Sequence, residues 1–557
     1  MYKQVFDPVG DSLGLSSIFA VLPLITLFVL LGGIKVKAQW AALSALAVGI
    51  VVAVAVYGMP VGQTLLSATE GAAFGLFPIM WIVVSAIWVY NMTVETGHFA
   101  VLRRSFGAIS NDQRIQAVII AFSFGALLEA LAGFGTPVAI TSVMLIALGF
   151  KPIKAASVAL VANTAPVAFG AIAIPITTLG EITGLPPADL GAMVGRQTPL
   201  LAVLVPLVLV FMVDGTRGLR QTWPAAIVGG LVFAAGQYAC SNFISIELTD
   251  IVASLASTAA IVGFLRVWQP GEPLIGEPAA AARPAVAGSE THDPAMEAQI
   301  ERRDRKTDPR GDVAKAYAPY AIIIAIFSLA QLGPVKDALA KDPFTHAFSW
   351  PGLHVVNPKG EAVSSLMYNF NWLPAAGTLM LISGVITMLV LGVRPGRAVQ
   401  VAGGAFDQLK WAILTVASVL GLAYVMNQSG QTITLGLWVA GAGSIFALLS
   451  GMIGWLGVAV TGSDTSSNAL FGALQVQAAK DANLPPILLA AANSSGGVLG
   501  KMISPQNLAI GAAAVGMAGQ EGDLFRKVVG WSVALMIAMC LIIYLQSTAV
   551  LDWMVVK

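Results

Sequence analysis

The feature that most constrains this chain is a series of long apolar runs, most of them close to 20 residues in length. A helix of about 20 apolar residues crosses the roughly 30 Å hydrocarbon core of a bilayer, whereas a spanning β-strand would appear as an alternating segment of about ten residues. Charged residues make up only 11% of the chain, far fewer than in a soluble domain. We therefore predict an all-α polytopic membrane protein, with single spans near 15–34, 39–57, 72–91, 155–178, 199–213, 223–241, 249–268, 316–333, 372–393, 409–427, 486–512 and 528–548.

The rest of the composition argues against several kinds of partner. The formal net charge of +1 gives no reason to expect a nucleic acid. The two cysteines, Cys240 and Cys540, and the four histidines lack the spacing of metal ligands, so we expect no metal site and no cofactor. The first run, 15–34, has no small-residue cleavage site, and we expect it to remain as a span.

Three segments do not fit the pattern of one run for one span. Residues 114–150 and 434–480 are too long for one crossing, and each is interrupted by small and polar residues, GFGTP at 133–137 and TGSDTSSN at 461–468. We predict that both are re-entrant hairpins with these interruptions at their tips. Residues 269–313 are rich in proline, alanine and mixed charge, which predicts a flexible aqueous linker.

An offset of 330 residues aligns unusual positions of the two halves, which predicts an internal repeat. The aligned pairs are Trp81 with Trp411, Thr136 with Ser466, Asn163-Thr164 with Asn493-Ser494, Gly170 with Gly500, and Pro175 with Pro505. The first repeat would be 1–213, with hairpin 114–150 and broken helix 155–178. Two connecting helices would occupy 214–268, and the second repeat would be 314–557, with hairpin 434–480 and broken helix 486–512. An odd number of crossings separates the halves, so the repeats are expected to be inverted.

The positions of the basic residues predict an orientation in the membrane. Threading the spans and hairpins places most loop lysines and arginines, and the basic linker, on one side. Lysine and arginine are enriched in the loops on the cytoplasmic side of membrane proteins. We therefore expect linker 269–313 in the cytoplasm and both termini in the periplasm.

Four helix breaks, GFGTP, NTAP (163–166), GSDTSSN and NSSGG (493–497), predict a substrate site near the middle of the membrane. Non-helical backbone survives there only where it lines a cavity, and the N-termini of half-helices attract anions. We expect the substrate to be bound by residues at these breaks, with Asn468 or Gln506 for a substrate hydroxyl. Lys501 is expected to be a counter-charge for an anionic substrate or for Asp464. The other predicted binding residues are Gly135, Thr136, Asn163, Thr164, Ser466, Asn493 and Ser494.

Charged residues within the apolar segments are candidates for function, because they are costly in the membrane. Glu129 precedes the first tip by about one turn, and Asp464 lies in the second tip. Either carboxylate is a candidate proton carrier, and a structural ion pair is the alternative for each. Glu70 and five further charged or titratable residues are interpreted as flanking residues that reach the membrane surface: Glu95, His98, Glu181, Asp407 and Lys410.

Four motifs resemble those of the bacterial L-lactate permease family, which includes lactate and glycolate permeases. They are LLEALAGFGTPVAIT, ALVANTAPVAFGAIAIPI, GSDTSSNALFGALQ and AANSSGGVLGKMISPQ, and the resemblance covers essentially the whole chain. It implies an inner-membrane secondary transporter that takes up L-lactate, D-lactate or glycolate with a proton. It also implies membership of a broader ion-transporter group with inverted repeats, hairpins and often an elevator movement.

The residues themselves leave other functions open. The exposed carbonyls of the breaks would also suit Na⁺, so a sodium-coupled carboxylate transporter is one alternative. A passive anion channel is another, and Glu129 with Asp464 as the acid–base pair of an intramembrane hydrolase is a third. The expected partners are a small 2-hydroxy monocarboxylate, protons and the lipid bilayer, and the sequence leaves a homo-oligomer open.

Overall fold

The computed structural model describes residues 1–275 and 308–556, apart from 31–33, 35, 108, 132, 134, 331, 359, 361–362, 364–365 and 518–519. Most of the predicted linker, 276–307, therefore lies outside the described residues. Within them, eight helices are long and apolar enough to cross a membrane, or up to nine if one bent pair counts as a span. This confirms the prediction of a helical polytopic membrane protein.

The N-terminal part and the middle of the chain form one group of packed helices. Its helices are Ala38–Ala55, Val61–Phe74, a π-helix at Gly75–Met80, Trp81–Glu95, His98–Gly107, Arg310–Ala330, Ala376–Leu391 and Pro395–Ser429. Shorter helices are Leu13–Ala20, Leu22–Phe28 and Gly333–Leu339. Two small sheets, which the sequence did not predict, pair Tyr2–Lys3 with Val355–Val356 and His346–Ser349 with Met367–Phe370.

A second group of packed helices contains both predicted hairpins and both predicted broken helices. From the first half it includes Gln113–Gln116, a π-helix at Ala117–Phe124, Gly125–Leu131, Thr136–Ala147, Pro152–Ala162, Val167–Phe169, Gly170–Thr183, Pro187–Val194, Thr198–Ala202, Val205–Phe243 and Thr249–Phe264. From the second half it includes Gln431–Ala440, Gly443–Ile445, Phe446–Thr461, Asp464–Asp481, Pro486–Gly500, Lys501–Ile503, Pro505–Ala514 and Glu521–Gln546, and the short turn Asp552–Met554 follows. The predicted runs 199–213 and 223–241 join in one element, which is kinked at Asp214 and Gly215.

The first long segment folds back on itself at the GFGTP interruption. One arm ends at Leu131, the other begins at Thr136, and Gly133 and Gly135 have positive φ angles of 48° and 82°. Glycine adopts such angles at little cost because it has no Cβ. At the other end, Gln113 Nε2 donates a hydrogen bond of 3.2 Å to the carbonyl of Leu148, so the two ends of the segment lie together.

The second long segment also contains two antiparallel arms, but they begin later than the sequence predicted. The arms are Phe446–Thr461 and Asp464–Asp481, and they turn at Gly462, where φ is 75°. Ser450 Oγ donates to Gln475 Oε1 at 2.8 Å, which joins the ends away from the turn. The start of the predicted hairpin at 434 is corrected, because Gln431–Ala440 is a separate helix that packs against the second arm.

The two broken helices differ in where they break. Pro152–Ala162 and Val167–Thr183 meet at an angle of 65°, as the NTAP motif predicted. The predicted break at NSSGG is wrong, because Pro486–Gly500 is continuous and the chain leaves the helix at Lys501–Ser504. Gly496 serves packing instead, since a Cβ there would overlap the carbonyl of Gly451. Small residues allow membrane helices this close approach.

This close approach makes a stability prediction. Gly496→Ala is expected to lower the stability of the folded protein by about 1–3 kcal/mol, the usual cost of overpacking. Gly403→Ala is the matched control, because a Cβ on Gly403, also within a helix, would meet no atom within 4 Å. Thermal unfolding of the purified variants in detergent measures the difference. Equal unfolding temperatures for the two variants would contradict the packing argument.

Candidate functional site

A buried ion pair joins the first hairpin to the second broken helix. Lys501 Nζ donates to Glu129 Oε1 at 2.5 Å, and the exposed fractions of the two residues are only 6% and 3%. Asn163 Nδ2, at the break of the first broken helix, donates to Glu129 Oε2 at 2.9 Å. Both oxygens of Glu129 are thus occupied, and three predicted site residues from three elements meet at one point.

A second polar cluster lies at the start of the second hairpin's second arm. Ser494 Oγ donates to Asp464 Oδ2 at 2.5 Å, and Asn493 Nδ2 donates to Asn468 Oδ1 at 2.9 Å. Asn468 Nδ2 also donates to the carbonyl of Pro175 at 3.0 Å, which ties this cluster to the first broken helix. Asp464 Oδ1 is buried and has no hydrogen-bond partner in the part of the chain that the structure describes. The two clusters are neighbours, because Ser494, which bonds Asp464, lies in Pro486–Gly500, and Lys501, which bonds Glu129, begins the turn that directly follows this helix.

The tips of both hairpins approach Asn507, a residue that the sequence analysis did not select. Asn507 Nδ2 donates to the carbonyl of Gly462 at 3.4 Å. Asn507 Oδ1 would lie 3.4 Å from a Cβ on Gly135. The signal in the sequence is the pair of amides Gln506 and Asn507 at the start of an otherwise apolar segment. The predicted member of the pair, Gln506, is exposed, whereas Asn507 is buried.

The backbone beside Glu129 is strained. Ala171, Ile172 and Ala173 are consecutive, buried and left-handed, with φ angles of 44°, 60° and 56°. For residues other than glycine this conformation costs roughly 1–2 kcal/mol each, so the surrounding packing must hold it in place. The turn follows Gly170 directly, and a Cβ on Gly170 would stand 2.8 Å from Glu129 Oε1. The carboxylate of Glu129 therefore lies against strained backbone.

The other predicted residues are less closely connected to these clusters. Thr164 lies in the turn of the break, and its Oγ1 donates at 2.7 Å to the carbonyl of Val161, near the end of the preceding helix Pro152–Ala162. Ser466 is buried, and its backbone N–H is capped by Ser463 Oγ at 3.3 Å. Thr136 begins the second arm of the first hairpin, but its side chain lies outside the described part of the structure.

Two buried carboxylates were missed or misinterpreted. Asp250 is only 1% exposed and was hidden in the sequence, because it stands in the first turn of an apolar run. Glu70 was interpreted as a flanking residue, but it is buried and accepts a hydrogen bond of 2.7 Å from Gln428 Nε2. The reason is that the helix Val61–Phe74 packs against Pro395–Ser429 and turns Glu70 inward. No group of three or more histidine, cysteine or acidic residues that could hold a metal occurs among the described residues.

Comparison with solved structures gives two distant likenesses. The YdaH transporter of Alcanivorax borkumensis has 15% sequence identity and a TM-score of 0.40, over 86% of this chain and 87% of that one. MtrF of Neisseria gonorrhoeae has 14% identity and a TM-score of 0.44, over 96% of this chain and 94% of that one.

Comparison by sequence gives relatives along the full length. An L-lactate permease of Bacillus subtilis is 41% identical over 100% of both chains. A glycolate permease, GlcA, of Escherichia coli K12 is 40% identical over 98% of both, and an L-lactate permease of the same organism is 39% identical over 100% of both. The L-lactate permease family matches residues 16–550. The chain therefore belongs to the L-lactate permease family, and it is a membrane transporter rather than an enzyme.

Proposed function

We propose that the chain takes up L-lactate, and also D-lactate and glycolate, across the inner (plasma) membrane in symport with protons. The names of its full-length relatives support the substrate class. The observation that carries the coupling is the 2.5 Å ion pair between Lys501 and Glu129. Lys501 is the cation that would bind a substrate carboxylate, and in the structure Glu129 is paired with Lys501.

Proton coupling follows from competition for Lys501. While Glu129 is ionised, a substrate carboxylate would have to displace it and leave it as an uncompensated buried charge, which is very costly. A proton on Glu129 cancels its charge and frees Lys501 Nζ for the substrate carboxylate. One anion and one proton then enter together, and the net charge of the site stays the same.

Of the two proton carriers that the sequence left open, we assign the coupling to Glu129. Among the described residues, no cation pairs directly with Asp464 and one of its oxygens has no partner, while Ser494 and Asn468 bond the other. Without a direct counter-ion, this buried group is more stable as the neutral acid. Asp464 therefore keeps its proton through the cycle and positions the second hairpin against the second broken helix.

The remaining predicted residues complete the substrate site in this proposal. The substrate carboxylate binds Lys501 and Asn163. In the structure Asn163 already donates a hydrogen bond to Glu129. The substrate hydroxyl bonds Asn468 or Gln506. The rest of the lining consists of Gly135, Thr136, Thr164, Ser466, Asn493 and Ser494. The proximity of both hairpin tips to Asn507 supports a site shared by the two halves.

The proposed transport movement uses the two groups of helices. Both hairpins and both broken helices belong to one group, which would move as a body against the other group, as in an elevator. The predicted boundaries, with inverted repeats at 1–213 and 314–557, connecting helices at 214–268 and a cytoplasmic linker at 269–313, remain part of this proposal. In this proposal both termini lie in the periplasm, which the distribution of lysine and arginine supports.

Uptake into proteoliposomes tests the proposal. With an inward proton gradient of one pH unit and no sodium, a 1:1 symporter should accumulate lactate about tenfold. A sodium gradient at equal pH should drive none. Accumulation driven by sodium alone would replace proton coupling with sodium coupling, and equilibration without accumulation under either gradient would indicate a passive channel.

A further inference from the structure

Asn507 is a buried amide that lies where the tips of the two hairpins come together. It is only 2% exposed and stands in the first turn of the helix Pro505–Ala514. Its Nδ2 donates to Ser504 Oγ at 2.8 Å and to the carbonyl of Gly462 at 3.4 Å. A carbonyl can only accept a hydrogen bond, so the contact with Gly462 fixes which end of the amide carries the hydrogens. The oxygen of the amide, Oδ1, is left for another partner.

Asn507 Oδ1 lies against the tip of the first hairpin and accepts no hydrogen bond from the residues that the structure describes. It would stand 3.4 Å from a Cβ on Gly135, and a glycine has no side chain that could supply a donor. Burial of an amide oxygen without a donor costs free energy. The unpaired oxygen therefore indicates a donor that comes from outside the chain.

Asn507 Oδ1 and Lys501 approach the same hairpin tip at positions two residues apart. Lys501 Nζ donates to Glu129 Oε1, and this oxygen would stand 3.7 Å from a Cβ on Gly133. Asn507 Oδ1 makes the corresponding approach to Gly135, and two residues of chain span at most about 7 Å. A three-carbon 2-hydroxy acid whose carboxylate binds Lys501 would thus have its hydroxyl within reach of Asn507.

We propose that Asn507 distinguishes 2-hydroxy acids from other small carboxylates, because its Oδ1 accepts the proton of the substrate hydroxyl. This rests on the proposed function, in which Lys501 binds the substrate carboxylate. A hydroxyl donates one hydrogen bond and also accepts, so an N–H of Asn468 or Gln506 can bond the oxygen of the same hydroxyl. A 2-oxo acid presents a carbonyl, which cannot donate, and an unsubstituted acid presents no polar group there. Either of these acids leaves Asn507 Oδ1 buried and unpaired.

The test is inhibition of labelled lactate uptake by unlabelled lactate, pyruvate and propionate, with the full-length protein in proteoliposomes. In the parent, pyruvate and propionate should each compete at least about tenfold more weakly than lactate, because each leaves a buried acceptor unpaired. Asn507→Leu keeps a side chain of similar size but removes the acceptor, and this preference should disappear. Asn507→Ala, which also lacks the acceptor, should give the same result and replaces the leucine variant if that variant is poorly produced or takes up no lactate.

A control separates recognition of the hydroxyl from the contact of Asn507 with its own helix turn. Ser504→Ala removes one hydrogen bond of Asn507 Nδ2 but leaves the bond to Gly462 and the free Oδ1, so it should keep the preference of the parent even where total uptake falls. An unchanged preference in the Asn507 variants, its loss in Ser504→Ala, or a parent that takes up lactate without any preference overturns the inference. If the parent takes up no 2-hydroxy acid, the proposed function fails instead, so the two failures are distinguishable.

Discussion

Lys501→Met is expected to lower lactate uptake on the order of 100-fold, because it removes the proposed counter-charge of the substrate from a buried site. Truncating one partner of a buried, hydrogen-bonded charge pair typically costs 2–5 kcal/mol, which is the source of that figure. The measurement is the initial rate of uptake by proteoliposomes that contain equal amounts of protein. Lys480→Met is the matched control, since Lys480 is exposed in the last turn of Asp464–Asp481, and its uptake should equal that of the parent.

The single variant leaves Glu129 buried without its cation, so its loss of uptake could arise from poor folding. The double variant Glu129→Gln with Lys501→Met removes both charges and restores a neutral core, and it should recover thermal stability. Uptake should stay as low as in Lys501→Met, because the substrate still lacks its counter-charge. Recovery of uptake together with stability would contradict the role of Lys501 in binding.

The elements that could be predicted from the sequence are those whose physical cause is local. The break in LLEALAGFGTP is visible because two glycines and a proline interrupt an apolar run, and the structure has positive φ at Gly133 and Gly135. The NTAP break and the turn at Gly462 were found for the same reason. Apolar run length alone was enough for the helical membrane class.

The features that were missed depend on packing between distant segments. Glu129 and Lys501 were each selected as candidates, but they are 372 residues apart, and nothing local shows that they form a pair. NSSGG looked like a helix break, yet Gly496 faces Gly451 of a neighbouring helix and the helix continues. The left-handed turn at 171–173 contains no glycine, so it left no signal in the sequence.

Burial of a carboxylate is the other property that the sequence did not show. Asp250 and Glu70 both stand where a residue could reach the membrane surface, and only the packing of neighbouring helices encloses them. A charge near the end of an apolar run is consistent with either environment. At such positions the helices that pack against the residue determine whether its carboxylate is buried. These helices come from remote parts of the chain.

Glu129→Gln is expected to abolish accumulation of lactate under a pH gradient while exchange of internal for external lactate continues. The amide cannot take up or release the proton, so substrate movement is uncoupled from the gradient, and the accumulation ratio should fall from about ten to about one at a difference of one pH unit. Exchange needs only binding and movement, and Lys501 is then free for the substrate at all times.

Glu129→Gln is also expected to change how lactate affinity depends on pH. The variant should bind lactate more tightly than the parent at alkaline pH, whereas a simple loss of binding would weaken it. In the parent, ionised Glu129 competes for Lys501, so lactate affinity should fall by up to about tenfold per pH unit as Glu129 loses its proton. In Glu129→Gln this competition is absent, and affinity should remain high at alkaline pH. Binding of labelled lactate to purified protein between acidic and alkaline pH measures both slopes.

Asp464→Asn is the matched control for accumulation, because Asp464 is proposed to stay protonated. This variant should therefore accumulate lactate like the parent. If Asp464→Asn loses accumulation and Glu129→Gln keeps it, the coupling belongs to Asp464, and the pair of Glu129 with Lys501 is structural.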